Sequence, residues 1–362
     1  MLTIIVFHCS QCCIQGTVAQ ILGNPWNVPI FFIIGGFFLK EEALERPGEF
    51  LKGKLSRLYL PATIIYGICV LLHNVFVSMG WYPLGEPHPA SGVPFAYYGL
   101  KEYAISLTKV LLAAGSGELA MGAMWFLYSL LYAFVGMSVI YWLLSRFIKS
   151  QDKMFYWMTT VILFIAAVSC TMTQVCDVTI SRFSAAATAM WLIWWGMIIN
   201  RRWKWTFDKW WGLAIAVILF LHCILLQKVG ITLARNDYQD LINLVVGSTS
   251  AIYIWGFIAK RIENLRVGRF LALMGRESLY LMAFHIVGLF ICNNLMEKLG
   301  IFALGDERGL YTYNMGGNWL ILLIYVIIAI ATSFGFLYVY RCIKNGVQNI
   351  MYILSASRIN RI

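Results

Sequence analysis

Long apolar segments separated by short polar loops make up the chain from its first residue. An α-helix needs about 20 mostly apolar residues to cross the hydrocarbon core of a bilayer. The pattern therefore predicts an all-α integral membrane protein with about ten transmembrane helices and no separate soluble domain. The second segment is short for a full crossing, and its Pro29 and Gly35-Gly36 predict a tilted or broken element that lines a cavity. The predicted spans are 1–22, 26–40, 58–81, 121–145, 154–171, 183–199, 210–227, 241–258, 271–295 and 319–341.

Basic residues fall in alternate loops between these spans. Twenty of the 28 Lys and Arg residues lie in four loops and in the C-terminal tail. Cytoplasmic loops carry such an excess of Lys and Arg, so the bias places both termini in the cytoplasm, which agrees with an even number of spans. We divide the chain into a membrane domain, 1–345, and a cytoplasmic tail, 346–362. The four basic loops are 40–57, 146–153, 200–209 and 259–269.

The composition supports a membrane location. Hydrophobic residues make up 60% of the chain and charged residues 12%, against roughly 45–50% and about 25% in soluble domains. The formal net charge of +11 would also fit a nucleic-acid-binding protein, but the basic residues lie in topology-setting loops rather than on one phosphate-binding face. We therefore expect the lipid bilayer as a partner and no nucleic acid. The predicted location is the cell membrane, which in bacteria is the cytoplasmic membrane.

His8 is the leading candidate for chemistry. It lies in an opening segment of 22 residues that contains no Lys, Arg, Asp or Glu. An ionisable side chain inside hydrocarbon is costly, and for that reason it is a functional hypothesis by default. A neutral imidazole costs less than a fixed charge, so a packed histidine is the competing interpretation. For His73 and His222 we favour packed, hydrogen-bonded histidines, because few polar residues surround them.

Other polar residues in or beside the spans are weaker candidates. His285 lies about 20 Å into its predicted span at 1.5 Å per residue. Arg276 and Glu277 stand at the cytoplasmic mouth of the same span, where they either hold an anionic cofactor or form a helix-end charge pair. Arg57, at the cytoplasmic start of the third span, either binds the same cofactor or sets the topology. Glu118 either lines an acceptor cleft on the outer side or is solvated.

The motifs of soluble enzymes do not occur in the sequence. It contains no G-x-G-x-x-G, Walker loop, H-E-x-x-H or G-x-S-x-G. Its nine cysteines have no spacing typical of a metal site, so we expect no metal. The remaining candidate for a catalytic site is a membrane-embedded imidazole with basic groups toward the cytoplasm. That combination suits a base acting on a hydroxyl while cations hold a phosphate-rich donor.

Several stretches resemble motifs of the integral-membrane acyltransferase-3 family, in that family's order. Residues 29–38 (PIFFIIGGFF) resemble its FFxxSGF element, with Gly in place of the usual Ser. Residues 50–61 (FLKGKLSRLYLP) resemble its basic segment that ends in RlyP. Residues 125–127 (WFL) resemble the start of a later helix, and residues 274–285 (MGRESLYLMAFH) resemble its late GxxSLylxxxH element. His8 stands where the family has the histidine of its first helix.

The resemblance implies an O-acyltransferase, most often an O-acetyltransferase, that modifies a hydroxyl of a cell-surface polysaccharide or its lipid-linked precursor. The implied donor is acetyl-CoA, which would enter from the cytoplasm. We take His8 as the catalytic general base and Arg57 and Arg276 as the candidates for binding the donor. The candidates for substrate binding or site support are Glu118, Trp125, Glu277, Ser278 and His285.

The family's first helix also carries an Arg before its histidine. That Arg would fall ahead of Met1 in this sequence. Either the start is misplaced or the chain is a shortened form, and in the second case we expect the chain as written to have impaired activity.

A proton-coupled secondary transporter is the alternative from another functional class. Ten spans, a broken second helix and histidines near the middle of the membrane would all suit transport. The sequence has no detectable internal repeat and few intramembrane Asp or Glu residues, which argues against it. A glycan export or flippase protein is a further alternative, for which we would expect a larger outer loop or more spans.

Overall fold

The computed structural model describes residues 1–13, 26–88, 92–115, 117–226, 231–238, 240–301 and 319–359. Within these ranges the protein is a helical bundle with one hairpin of two-residue strands, β1 (Ile231–Thr232) and β2 (Asp237–Tyr238). Seven of the described helices are long and apolar enough to cross a membrane, and three shorter apolar helices accompany them. The all-α class predicted from the sequence is confirmed. The count of ten crossings and the side on which the termini lie stay predictions.

The helices are numbered in chain order from α1 to α14. The seven long ones are α4 (Pro47–Leu71), α7 (Leu119–Leu144), α8 (Gln151–Gln174), α9 (Ser181–Met197, continued by a π-helical turn Ile198–Arg202), α11 (Leu241–Ile262), α13 (Ser278–Lys298) and α14 (Trp319–Ile359). The others are α1 (Leu2–Cys13), α2 (Asn27–Phe37), α3 (Glu41–Leu44), α5 (His73–Ser78), α6 (Leu100–Leu111), α10 (Trp210–Leu221, continued by a π-helical turn His222–Leu226) and α12 (Arg266–Arg276).

The long helix α4 is displaced from the span predicted at 58–81. It begins at Pro47, and proline is well suited to the first turn of a helix. A π-helical segment, Leu55–Tyr59, carries it past the basic residues without a break. At its other end Leu72 has φ −87° and ψ 3°, which stops the helix before α5 begins.

The span predicted at 271–295 is divided between two helices. Glu277 has φ −94° and ψ 17°, so α12 ends at Arg276 and α13 begins at Ser278. The polar and apolar residues of α12 lie on opposite sides, which is typical of a helix in the plane of the membrane interface. Arg276 and Glu277 therefore lie at the joint between two helices rather than inside one span.

Helix α2 is unbroken, which corrects the alternative of a broken second segment. A Cβ on Gly36 would lie 1.9 Å from the carbonyl oxygen of Ile193, and a Cβ on Gly196 would lie 2.0 Å from that of Ile33. Each glycine thus meets the backbone of the opposite helix, and α2 and α9 pack closer than any larger residue would permit. This close contact, rather than a kink, explains why α2 needs glycine at this position.

Ionic contacts join three of the four basic loops at one end of the bundle. The Arg202 guanidinium lies 3.5 Å from Oε2 of Glu41 and 3.9 Å from Oδ1 of Asp152. Nearby, the amide of Gln151 donates to Oε1 of Glu45 at 3.4 Å. We call this the basic end; its loops are the ones predicted to be cytoplasmic. Their proximity agrees with the predicted layout, and the orientation in the membrane stays a prediction.

At the end away from these loops, the chain between α5 and α7 folds back along α4. The side-chain amide of Asn74 donates to the carbonyl oxygen of Tyr98 at 3.0 Å. Farther down, the Tyr59 hydroxyl donates to the carbonyl oxygen of Leu111 at the end of α6. Asn74 follows Tyr59 in the sequence, whereas its partner Tyr98 precedes Leu111, so the stretch that ends in α6 runs antiparallel to α4.

Helix α14 continues without interruption to Ile359. The boundary proposed after residue 345 therefore falls inside one helix, and the division into a membrane domain and a tail stays a prediction.

Candidate functional site

Two histidines from distant parts of the sequence meet where α1 contacts α13. The ring centroids of His8 and His285 lie 5.1 Å apart, and their planes are tilted by 46°. His285 is fully buried, and His8 is half-buried. The structure thus brings together the catalytic candidate and one of the residues predicted to support it.

A backbone hydrogen bond defines the chemical state of His285. Its Nδ1–H donates to the carbonyl oxygen of Leu281 at 2.8 Å. In the neutral ring this bond places the proton on Nδ1 and leaves the lone pair of Nε2 available. Nε2 is buried, and no group in the described part of the chain hydrogen-bonds to it. An acceptor nitrogen held in this way beside a second imidazole can receive an O–H or N–H group.

Helix α14 fixes the position of both histidines, because it packs against α13 and against α1. A Cβ on Gly288 would lie 2.6 Å from Cα of Ala329, so α13 and α14 approach closely less than one turn beyond His285. One to two turns farther on, the Tyr325 hydroxyl donates to Oδ1 of Asn293 at 2.6 Å. This buried bond sets the register of α13 against α14. The histidine on α13 is therefore held by a tight helix pair rather than by a loop.

Glu118, a predicted acceptor-cleft residue, lies in a buried pair with His73. Both carboxylate oxygens are 3.1 Å from Nδ1 of His73, and each residue is only 1% exposed. Nε2 of the same ring lies 2.9 Å from the carbonyl oxygen of Ala96. Because both ring nitrogens face oxygen acceptors, the doubly protonated imidazolium satisfies the arrangement best. His73 is thus a packed, hydrogen-bonded histidine, as predicted.

Aromatic rings enclose this pair. The Tyr98 ring stacks on the His73 ring at a centroid distance of 3.5 Å, and Tyr82 packs at 5.2 Å. Burial and the Glu118 carboxylate raise the pKa of Tyr98 to about 12, and they raise the pKa of Tyr82 well above its ordinary value. The Tyr82 hydroxyl accepts a hydrogen bond from the backbone N–H of Ala120 at 3.1 Å. The cluster thereby anchors the first turn of α7.

The two arginines proposed to bind the donor are exposed. Arg57 lies in the π-helical segment of α4, and Arg276 ends α12. Neither makes a hydrogen bond or an ion pair with any described residue. Glu277, next to Arg276, pairs instead with Arg341 of α14 at 2.5 Å. The charge pair at the mouth of α13 is therefore formed across two helices, and Arg276 is left outside it.

Other predicted residues lie at a helix start, against the core and at the periphery of the bundle. Ser278 is the first residue of α13 and is half-buried. Trp125 is half-buried against the core and makes an edge contact with Phe126, at 6.5 Å between ring centroids. His222 is exposed on α10, contrary to the packed position predicted, because that helix lies at the periphery of the bundle. Among the described residues, no group of three or more His, Cys, Asp or Glu side chains is placed to hold a metal ion.

One comparison with known proteins identifies the family. A family model described as an acyltransferase domain, that of acyltransferase family 3, matches residues 1–338. A comparison with curated proteins and one with solved structures found no match. The matched region takes in both histidines and all seven of the long apolar helices at least in part. The protein therefore belongs to acyltransferase family 3, as a membrane acyltransferase.

Proposed function

We propose that the protein is an O-acyltransferase that moves an acetyl group from acetyl-CoA to a hydroxyl of a cell-surface glycan or its precursor. The observation that carries this proposal is the pair of His8 and His285, with Nε2 of His285 buried and unpartnered within the described chain. An imidazole is the side chain that most often takes a proton from a reacting hydroxyl. The family supplies the acyl-transfer chemistry, and the histidine pair is the group in the described chain best suited to it.

In the proposed reaction, His8 removes the proton of the acceptor hydroxyl as its oxygen attacks the thioester carbonyl carbon. The new C–O bond forms and the C–S bond breaks. The proton on His8 then passes to the sulfur of the departing CoA. His285 acts as a positioning residue, because its Nε2 lone pair can accept the N–H of the protonated His8 or the hydroxyl of the acceptor. Its own orientation is fixed by the bond to Leu281.

The donor's phosphates require cations, and Arg57 and Arg276 are our candidates. Both are exposed, so neither has to give up an existing partner to bind a phosphate group. Guanidinium groups bind phosphate oxygens through two parallel N–H bonds, which gives both affinity and orientation. We place the protein in the cell membrane, with the donor arriving from the cytoplasmic side and the basic end facing that side.

Transfer of label from radiolabelled acetyl-CoA tests the proposal. Membranes containing the wild-type protein should incorporate label into polysaccharide or its lipid-linked precursor. General base catalysis contributes typically 10²–10⁴-fold, so His8→Ala should lower the rate by about a hundredfold or more. His285→Ala should cause a smaller loss, and His285→Gln, which restores a hydrogen-bonding group, should recover part of it.

The matched control is His222→Gln, which removes an exposed histidine on a peripheral helix. That variant should transfer label at the wild-type rate. Near-normal transfer by His8→Ala would remove His8 from the mechanism. Movement of a substrate across the membrane without any incorporation of label would instead favour the transporter alternative.

A further inference from the structure

A second polar cluster lies between α4, α7 and α9, away from the histidine pair in sequence. It contains Thr63 and Tyr66, three residues apart on α4, with Tyr128 of α7 and Arg182 of α9. The Tyr66 and Tyr128 rings stack with centroids 6.0 Å apart and planes within 11°. The backbone of Gly115 covers the cluster: a Cβ there would lie 3.6 Å from Nη2 of Arg182 and 3.7 Å from the Tyr66 hydroxyl.

Three polar groups of this cluster are buried without a hydrogen bond. Tyr128 is 1% exposed and Thr63 is 9% exposed, and their hydroxyls lie close to each other without a hydrogen bond to any other described group. Nε of Arg182 is also buried and has no hydrogen-bond partner within the described chain. A buried donor left unsatisfied costs about 1–3 kcal/mol. Such groups are rare in native proteins, and three in one place are typical of a site that binds a polar ligand.

The charge of the cluster defines the chemistry of that ligand. Arg182 makes no ion pair with any described residue, and the carboxylate of Glu118, which directly precedes α7, is already paired with His73. A half-buried guanidinium at the end of an apolar helix is stabilised by an anionic partner. Its planar fork matches the oxygens of a phosphate or a carboxylate, and phenol and threonine hydroxyls donate to the same oxygens.

The cluster lies within reach of the histidine pair through α7. A Cβ on Gly122, in the first turn of α7, would lie 3.7 Å from Cδ1 of Ile286, the neighbour of His285. Tyr128 follows six residues later on α7, which is roughly 10 Å along a helix. The two places are therefore joined by less than two turns of α7, a length that a substrate can span.

We propose that Arg182, with Tyr128 and Thr63, binds an oxyanion, a phosphate or carboxylate, of a substrate whose reacting end lies at His8. The proposal rests on the acyl transfer proposed above, because it assigns a second contact to one of that reaction's substrates. Thr63 and Tyr66 lie in the half of α4 farther from the basic end. The oxyanion belongs either to the acceptor or to the phosphates of the donor, and the two sources are separable by experiment.

Ligand-dependent unfolding of the purified full chain in lipid nanodiscs provides the test. The probes are CoA, inorganic pyrophosphate and glucuronate, each titrated against the wild-type protein. At least one of them should raise the midpoint of thermal unfolding, and Arg182→Gln should weaken binding of that probe by about tenfold or more. Arg182→Lys keeps the positive charge but loses the planar pair of N–H donors of the guanidinium, so it should bind the probe more tightly than Arg182→Gln and more weakly than the wild type. A response to CoA, with or without one to pyrophosphate, identifies the donor, because CoA itself contains a diphosphate. A response to glucuronate or pyrophosphate without one to CoA identifies the acceptor.

Tyr128→Phe distinguishes a binding role from a structural one. Without any anion this variant should unfold at or above the wild-type midpoint, because it removes a buried hydroxyl that has no partner. With the anion present it should bind severalfold more weakly. The matched control is Arg235→Gln, which removes an exposed arginine from another part of the chain and should leave binding unchanged.

The proposal is overturned if no probe shifts the wild-type midpoint, or if Arg182→Gln binds the responding probe as well as the wild type does. Its failure is distinguishable from a failure of acyl transfer, because binding is measured without any reaction. Anion binding that depends on Arg182, combined with no incorporation of label by the wild-type protein, would overturn the acyl-transfer proposal alone.

Discussion

The buried pair of Glu118 and His73 supports a quantitative prediction about stability. Both residues are 1% exposed, and two contacts of 3.1 Å join them. Removing one partner of a buried ion pair costs about 3–5 kcal/mol, because the other charge is then left without compensation. Glu118→Gln and His73→Gln should therefore each lower the free energy of unfolding by about 3 kcal/mol or more. The double variant should lower it by less than either single variant, since neither charge is then left unpaired.

The free energy of unfolding is measured by titrating the detergent-solubilised protein with sodium dodecyl sulfate and following tryptophan fluorescence. The chain has 14 tryptophans to report the transition. Glu86→Gln is the matched control, because Glu86 is an exposed carboxylate in the neighbouring loop between α5 and α6. Its effect should stay within about 0.5 kcal/mol.

Additive effects in the double variant would refute this account of the pair. A Glu118→Gln variant that is as stable as the wild type but transfers no label would place Glu118 in contact with the substrate, as the sequence-based hypothesis of an acceptor cleft requires. Lower stability with residual transfer would assign Glu118 to the anchoring of α7.

Two glycine substitutions test the helix contacts that position the site. Gly288→Ala should lower label transfer at least tenfold, because its Cβ would lie 2.6 Å from Cα of Ala329 and would push α13 away from α14. The control is Gly335→Ala on α14, where an added Cβ meets nothing within 4 Å. Equal activity of the two variants would contradict the prediction. Gly36→Ala should destabilise the protein by about 3 kcal/mol or more, since its Cβ would overlap a backbone carbonyl of α9. Gly275→Ala has open space around it and should change the unfolding free energy by less than about 0.5 kcal/mol.

The pairing of His8 with His285 could not be derived from the sequence. Both were candidates because they are imidazoles inside apolar segments, and each was identified from its own segment alone. Their contact depends on the packing of α14 against both α1 and α13, and that packing depends on close approaches such as Gly288 to Ala329. Periodicity identifies a helix, but it does not select the neighbour of that helix.

The cluster around Arg182 was missed for a similar reason. Arg182 was visible in the sequence as one of the few basic residues outside the basic loops, and that was the only available signal. Tyr66 and Tyr128 are unremarkable within aromatic-rich spans. Only the stacking of α4 on α7 places their rings beside the guanidinium, so the absence of hydrogen-bond partners becomes apparent in the structure alone.

The sequence by itself determined the class of the protein, because crossing a bilayer requires long apolar helices and the basic loops identify their ends. It also determined the family and the leading histidine, since both depend on local motifs. The tertiary structure decided how the helix boundaries fall, as at Glu277, and which polar groups meet inside the bundle. The physical reason is that hydrophobicity is a property of each segment, whereas a site is formed by contacts between segments far apart in the chain.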